Sequence, residues 1–338
     1  MILLAIYVLV VRIIAQLFGQ SGFLKYSVYS PVLFALIKVF LLLIVMIYTF
    51  FYLPFHLPKE GSLFTKIKKD VQSAITLERM ANFIWMVLIY TLFADNYRSV
   101  KTMGQYIHPF AWDQRISNWD KWLHFNHYPW EWIHPILGYP IVSSVLSIFY
   151  HAWFFVMIVV VLWQAISLNI QLRMQFFLSF FMCWIFLGGV MAVVLSSAGP
   201  VFYQKALLLT ADQNPYHALM QYLYSANFQH PILVLDVQEK LWKAFIDKTA
   251  NAPISGISAM PSMHVSTSVL FALVASRANR YLGIALWLFA FIIFLGSIHL
   301  AYHYALDGYV SFMLTILIWK IVGSPKIATY LFGRGIHQ

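Results

Sequence analysis

A chain of 338 residues that is 61% hydrophobic, 18% aromatic and only 10% charged departs far from the roughly 45–50% apolar and about 25% charged make-up of soluble domains. That excludes an ordinary soluble enzyme and makes the bilayer the solvent. The net charge of +10 is scattered around apolar segments, which fits anionic lipid headgroups and argues against a nucleic-acid partner. Cys183, alone in an apolar run, excludes an intrachain disulfide framework and a cysteine-based zinc site.

A membrane span needs about 20 apolar residues. In chain order such spans are predicted at 2–18, 31–53, 80–95, 138–164, 174–197, 264–279, 281–300 and 303–322. The expected fold is an all-α integral membrane bundle of about eight transmembrane helices. Arg12 interrupts the first span, which reads as a true span or an interfacial helix. It lacks the basic start and small-residue cleavage site of a signal peptide. The sixth opens on Ser266, Thr267 and Ser268, which suits a helix buried among others.

Two long segments are not spans. Residues 96–137 carry Trp112, Trp119, Trp122, Trp130 and Trp132 among charges and histidines. Within 198–263, residues 236–250 place Val237, Leu241, Trp242, Phe245 and Ile246 on one helical face, opposite Asp236, Glu239, Lys240, Lys243 and Asp247. Both read as helices lying in the headgroup layer, either covering the bundle or guiding a lipid sideways into it. Eight spans put both segments on one face. The opposite face carries Lys59, Lys66, Lys68, Lys69, Arg79, Arg173, Arg277, Arg280, Lys326 and Arg334. The positive-inside rule then places both termini in the cytoplasm and the long segments outside or in a lumen.

Three polar clusters stand at span ends on that loop face: Ser196-Ser197-Ala198-Gly199-Pro200, Pro261-Ser262-Met263-His264 and His303-Tyr304-Ala305-Leu306-Asp307. Ionisable residues at membrane depth are costly and mark functional sites. On a helix, His303 and Asp307 share a face. A carboxylate there takes the proton of one imidazole nitrogen and leaves the other as a nucleophile. His264 opens a helix, where the amides of Ser262, Met263 and His264 offer an anion site, and it suits general acid–base work.

Pro261-Ser262-Met263-His264 followed by His303-x-x-x-Asp307 resembles the type 2 phosphatidic acid phosphatase superfamily, whose patterns are PSGH and SRxxxxxHxxxD after KxxxxxxRP. The resemblance implies a six-helix catalytic core over 80–323, with interfacial loops 96–137 and 198–263. It leaves N-terminal membrane helices and a basic loop over 1–79, and a cytoplasmic tail over 324–338. It also implies a phosphohistidine at His303, oriented by Asp307, with His264 as acid/base and neither metal nor other cofactor. Met263 replaces the family glycine, Gly296-Ser297 stands where Ser-Arg is expected, and KxxxxxxRP is missing. Near its place lie Ser197, Gly199, Pro200, Tyr203 and Lys205. With Ser262, Met263, His299 and Tyr304 these are the candidate substrate contacts.

Loss of those cations, with the stretch Ser258–His264 and the pair His303-Tyr304, is similar to the inositol phosphorylceramide and sphingomyelin synthase branch. A phosphodiester carries one charge and needs fewer cations than a monoester near two. The expected activity is headgroup transfer from a phospholipid donor to a lipid acceptor. The alternatives are a lipid phosphate or isoprenyl pyrophosphate phosphatase, with water as acceptor, and a transporter with a degenerate site. Lys205, Arg98, Lys101 and Arg115 are the cations able to fold in. Asp113 and Asp120 read as surface salt-bridge partners or headgroup ligands, and His124, His127 and His134 as interfacial. His299, His303 and Asp307 would form one stripe, open to a metal, if the last helix began early.

Overall fold

The computed structural model describes residues 2–24, 30–58, 62–248 and 256–325. Lys59, Lys326, Arg334 and nearly all of the expected tail lie outside the described residues, as does the end of the 236–250 segment. Among the described residues the protein is all-helical, without strands. The helices are α1 Ile2–Leu17, α2 Ser30–Ile47, α3 Leu63–Ala74, α4 Leu77–Ile107, α5 Asp113–Leu123, α6 Pro129–Leu137, α7 Pro140–Ala165, α8 Ile170–Met182, α9 Ala192–Val194, α10 Tyr203–Ala206, α11 His217–Gln229, α12 Leu233–Ile246, α13 Met263–Ala278, α14 Arg280–His299 and α15 Ala305–Val322. A π-helical stretch, Cys183–Met191, joins α8 to α9.

Among the described residues, six helical segments are long and apolar enough to cross a membrane: Leu33–Phe55, Leu77–Ile107, Pro140–Ala165, Ile170–Val194, Arg280–His299 and Ala305–Val322. The other two expected spans form shorter apolar helices, Leu4–Leu17 and Met263–Ala278. The molecule is therefore an all-α, multi-pass membrane protein, with six such segments among the described residues.

The helix starts follow local chemistry. Asn169 caps α8 by accepting from Leu172 N at 3.0 Å, and Asn279 caps α14 by accepting from Tyr281 N and Leu282 N. Proline stands in the first turn of α6 and α7, where its missing N–H costs nothing. α13 sits at the centre, packed on α7, α8, α14 and α15. Its Ser266, Thr267, Ser268, Leu270, Phe271 and Ala272 are fully buried. A short helix with a polar start is tolerated there because protein, not lipid, surrounds it.

The largest departure from the span reading is α4. The apolar window ends near Asp95, yet the helix runs on to Ile107. The added turns carry Asn96, Arg98, Ser99, Thr102 and Gln105, all buried. They stay helical because they face protein, with α4 packed on α1, α7, α9 and the π-helical stretch.

Candidate active site

The three polar clusters are bonded to one another. Ala259 N donates to the Ser197 carbonyl at 2.9 Å, and Met260 N to Ser197 Oγ at 3.1 Å. Val201 N donates to the Ala301 carbonyl at 2.9 Å, and Ser262 N to the Asp307 carbonyl at 3.4 Å. Gly199 makes the approach possible. It holds φ +89°, and a Cβ there would stand 2.6 Å from the Tyr302 carbonyl oxygen.

His303 lies two residues before α15, so it does not share a helical face with Asp307 as the spacing suggests. Asp307 instead stands in the first turn of α15 and reaches back. Its Oδ2 accepts Tyr304 N at 3.0 Å and lies 3.2 Å from His303 Nδ1. The Ala259 carbonyl oxygen is 2.8 Å from the same Nδ1. Both neighbours of Nδ1 are acceptors, so Nδ1 carries the proton. In the neutral ring Nε2 then keeps its lone pair.

His264 sits in the first turn of α13, whose Ser262 cap accepts Val265 N at 3.4 Å. Its ring stacks on Tyr150 at 4.3 Å and leans on Trp153 at 4.1 Å, and its centroid is 5.9 Å from that of His303. Trp153 is itself held: Nε1 donates to Thr267 Oγ1 at 2.9 Å. Of the three amides expected to form an anion site, that of Ser262 is taken by Asp307, leaving those of Met263 and His264 in the open first turn.

Both histidines line a cavity of about 580 Å³. Its walls are mostly apolar and aromatic, drawn from α2, α4, α7, α8 and α12. Val234, Val237 and Leu241 of α12 line it, while Asp236, Glu239, Lys240 and Lys243 of that helix stay exposed. The amphipathic segment thus forms a wall of the chamber. Arg98, Lys101, His151 and Ser258 supply further polar groups to it. Tyr150, Trp153 and His151 have no marker in the sequence beyond polar and aromatic residues inside a span.

Several predicted contacts are elsewhere. Met263 lines the cavity, but Ser197, Gly199, Pro200, Tyr203, Lys205, Ser262, His299 and Tyr304 do not. Ser197 braces the Met260 segment, Tyr203 and Tyr304 pack with Tyr216, and Lys205 lies over the Trp242 ring at 5.5 Å. Arg115 likewise covers Trp112 at 5.1 Å. His299 Nε2 bonds Ser143 Oγ at 2.8 Å and the ring faces His134 and Tyr222. The stripe His299–His303–Asp307 is therefore not assembled. Among the described residues no group of three or more His, Cys, Asp or Glu is placed to hold a metal ion.

Asp113 and Asp120 do not stand at the surface. Both are buried and bind backbone. Asp113 accepts Ala198 N and Gly199 N at 2.8 Å each and the Tyr304 hydroxyl at 2.7 Å. Asp120 accepts Ala305 N and Leu306 N at 3.0 Å each, capping α15 from another helix. Burial pushes each carboxyl up to about 6, against the pull of those donors. His124 bridges the Asp120 carbonyl and the Tyr309 hydroxyl, while His127 forms an exposed ion pair with Glu131.

A family model described as the PAP2 superfamily matches residues 114–321, more than half of the chain and both histidine motifs. The chain belongs to the PAP2 superfamily. Membership supports a lipid phosphatase or phosphotransferase type of function. In this PAP2 superfamily protein the matched stretch begins after α4, so Arg98 and Lys101 stand outside it. Searches of curated proteins and of solved structures find no match.

Proposed function

We propose that the protein is a metal-independent lipid phosphotransferase that moves a phospho-headgroup between lipids through a phosphohistidine on His303. The observation that carries this reading is the placement of His303, with Nδ1 between the Ala259 carbonyl and Asp307 and the ring on the cavity wall. Nε2 attacks phosphorus, the bond from phosphorus to the leaving oxygen breaks, and His264 gives that oxygen its proton. The acceptor hydroxyl then passes its proton to His264 and attacks phosphorus. The N–P bond breaks and His303 is restored. Asp307 stabilises the positive ring that exists while phosphorus is attached or departing. Ring centroids 5.9 Å apart let both histidines serve one phosphorus centre.

The apolar chamber supports a lipid acceptor, because it shields the phosphohistidine from bulk water. The donor and acceptor are phospholipid and lipid alcohol, in the manner of the inositol phosphorylceramide and sphingomyelin synthases. The site faces the outside or a lumen, opposite the basic residues Lys66, Lys68, Lys69, Arg79, Arg173, Arg277 and Arg280. A second reading, hydrolysis of a lipid phosphate monoester, is favoured by one observation: Arg98 and Lys101 line the cavity and restore positive charge that the motifs lack.

The test is incubation of purified protein in EDTA with labelled phosphatidic acid, an isoprenyl pyrophosphate, or phosphatidylinositol plus ceramide or diacylglycerol. His303→Ala is the control. Label moving to the second lipid, and lost in the variant, supports the transferase. Free phosphate makes the protein a phosphatase, and turnover unaffected by His303→Ala overturns both readings.

A further inference from the structure

The superfamily motifs of this chain carry no cation for the phosphate, yet phosphoryl transfer needs positive charge or oriented donors where negative charge collects. Two cations line the cavity that holds His264 and His303, and both come from α4: Arg98 and Lys101. They are three residues apart, so they share one helix face. Arg98 is 1% exposed. A basic side chain buried that deeply in a membrane protein is costly and calls for a role.

Their mounting is rigid. A Cβ on Gly188 would meet the Tyr97 hydroxyl at 2.7 Å, and one on Gly104 would meet Val193 Cγ2 at 2.9 Å. Glycines at these points let α4 lie hard against the helix that leads to Ser196–Pro200. On its other side, Ile257 N donates to Gln105 Oε1 at 2.8 Å. Gly256 holds φ +79° directly over Lys101, where a Cβ would stand 2.8 Å from Lys101 Cγ. The segment running into Pro261–His264 is thus seated on Lys101, which lines the same cavity as His264. Lys205 and Arg115, the other cations near the motifs in sequence, lie over tryptophan rings.

We propose that Lys101, with Arg98, forms the phosphate-binding wall of the site, so that α4 supplies the cations missing from the histidine motifs. This rests on the reading of the cavity as a lipid phosphate site. It makes the phosphate of a lipid the anion recognised, and α4 a determinant of substrate charge.

Binding separates this proposal from catalysis. In a His303→Ala background, titrate dihexanoyl phosphatidic acid and the uncharged dihexanoylglycerol by calorimetry in detergent. Expected is a preference for the phosphate-bearing lipid that falls about tenfold, equivalent to about 1.4 kcal/mol, in Lys101→Gln. Lys101→Arg should restore most of it, and Lys205→Gln should leave it unchanged. Arg98→Gln is the harsher variant, and Lys101 carries the test if it does not fold. A phosphate preference indifferent to Lys101 overturns this proposal alone. Equal loss of both ligands in Lys101→Gln also overturns it, since Lys101 would then only shape the cavity. A protein that binds neither lipid overturns this proposal and the lipid phosphate reading together.

Discussion

Asp113 Oδ1 accepts the Tyr304 hydroxyl at 2.7 Å across 191 residues of sequence. The same carboxylate holds the amides of Ala198 and Gly199. One buried side chain thus ties the loop after the Ile170–Val194 segment to the start of α15, where His303 and Asp307 stand. Asp113→Ala strands two buried amides and a hydroxyl, each worth about 1–3 kcal/mol, and should cost roughly 3 kcal/mol or more. Tyr304→Phe removes one bond and should cost about 1 kcal/mol. Thermal unfolding in detergent checks the order, and equal shifts for the two variants would contradict the clasp.

Burial raises Asp113 and Asp120 from 3.8 to about 6 in the folded protein, above the unfolded value of about 3.9. The folded state therefore binds these protons more tightly. Their stabilising contribution is fully present below about pH 3.9 and is lost as pH rises through about 6. From these two groups, the unfolding midpoint should fall between pH 4 and 7, and Asp113→Asn should flatten that slope. A slope unchanged by Asp113→Asn would remove Asp113 as its source.

His303→Ala should abolish turnover, because it removes the proposed nucleophile and no second histidine of the cavity has both a carbonyl and a carboxylate at Nδ1. Asp307→Asn keeps an oxygen for Tyr304 N but loses the charge that steadies the imidazolium. It should lower kcat by roughly 10²–10⁴-fold with a smaller change in KM. Steady-state kinetics on whichever lipid turns over checks this. A KM effect alone would recast Asp307 as a binding residue.

Gly199 has φ +89° and ψ 168°, a region that is nearly glycine-only and costs other residues about 1–3 kcal/mol. A Cβ there also meets the Tyr302 carbonyl at 2.6 Å, whereas one on Gly296 meets nothing nearer than Tyr150 Cδ2 at 3.7 Å and Leu146 Cδ2 at 4.0 Å. Gly199→Ala should lose folded yield and activity, while Gly296→Ala should keep both. The folded fraction by size-exclusion chromatography in detergent separates the two.

Much of the helical frame was legible because apolar runs are local. The predicted spans at 138–164, 281–300 and 303–322 meet α7, α14 and α15 within about two residues, the usual scatter of helix ends. The span at 80–95 stopped a dozen residues short because hydropathy reads the side chains of α4 and not their surroundings. Asp113 and Asp120 read as surface charges, yet fold inward because they serve amides 85 or more residues away.

Sequence alone determined the membrane bundle and the superfamily, and singled out His264, His303 and Asp307 as candidates, since these rest on local hydropathy and short motifs. Only the tertiary structure decided which polar groups reach the cavity. It turned Tyr203, Lys205, His299 and Tyr304 away and brought Arg98, Lys101, Tyr150 and Trp153 in. The physical reason is that a side chain's exposure to the chamber depends on helix packing angles and on the long-range clasps of Asp113 and Asp120. No local pattern encodes either.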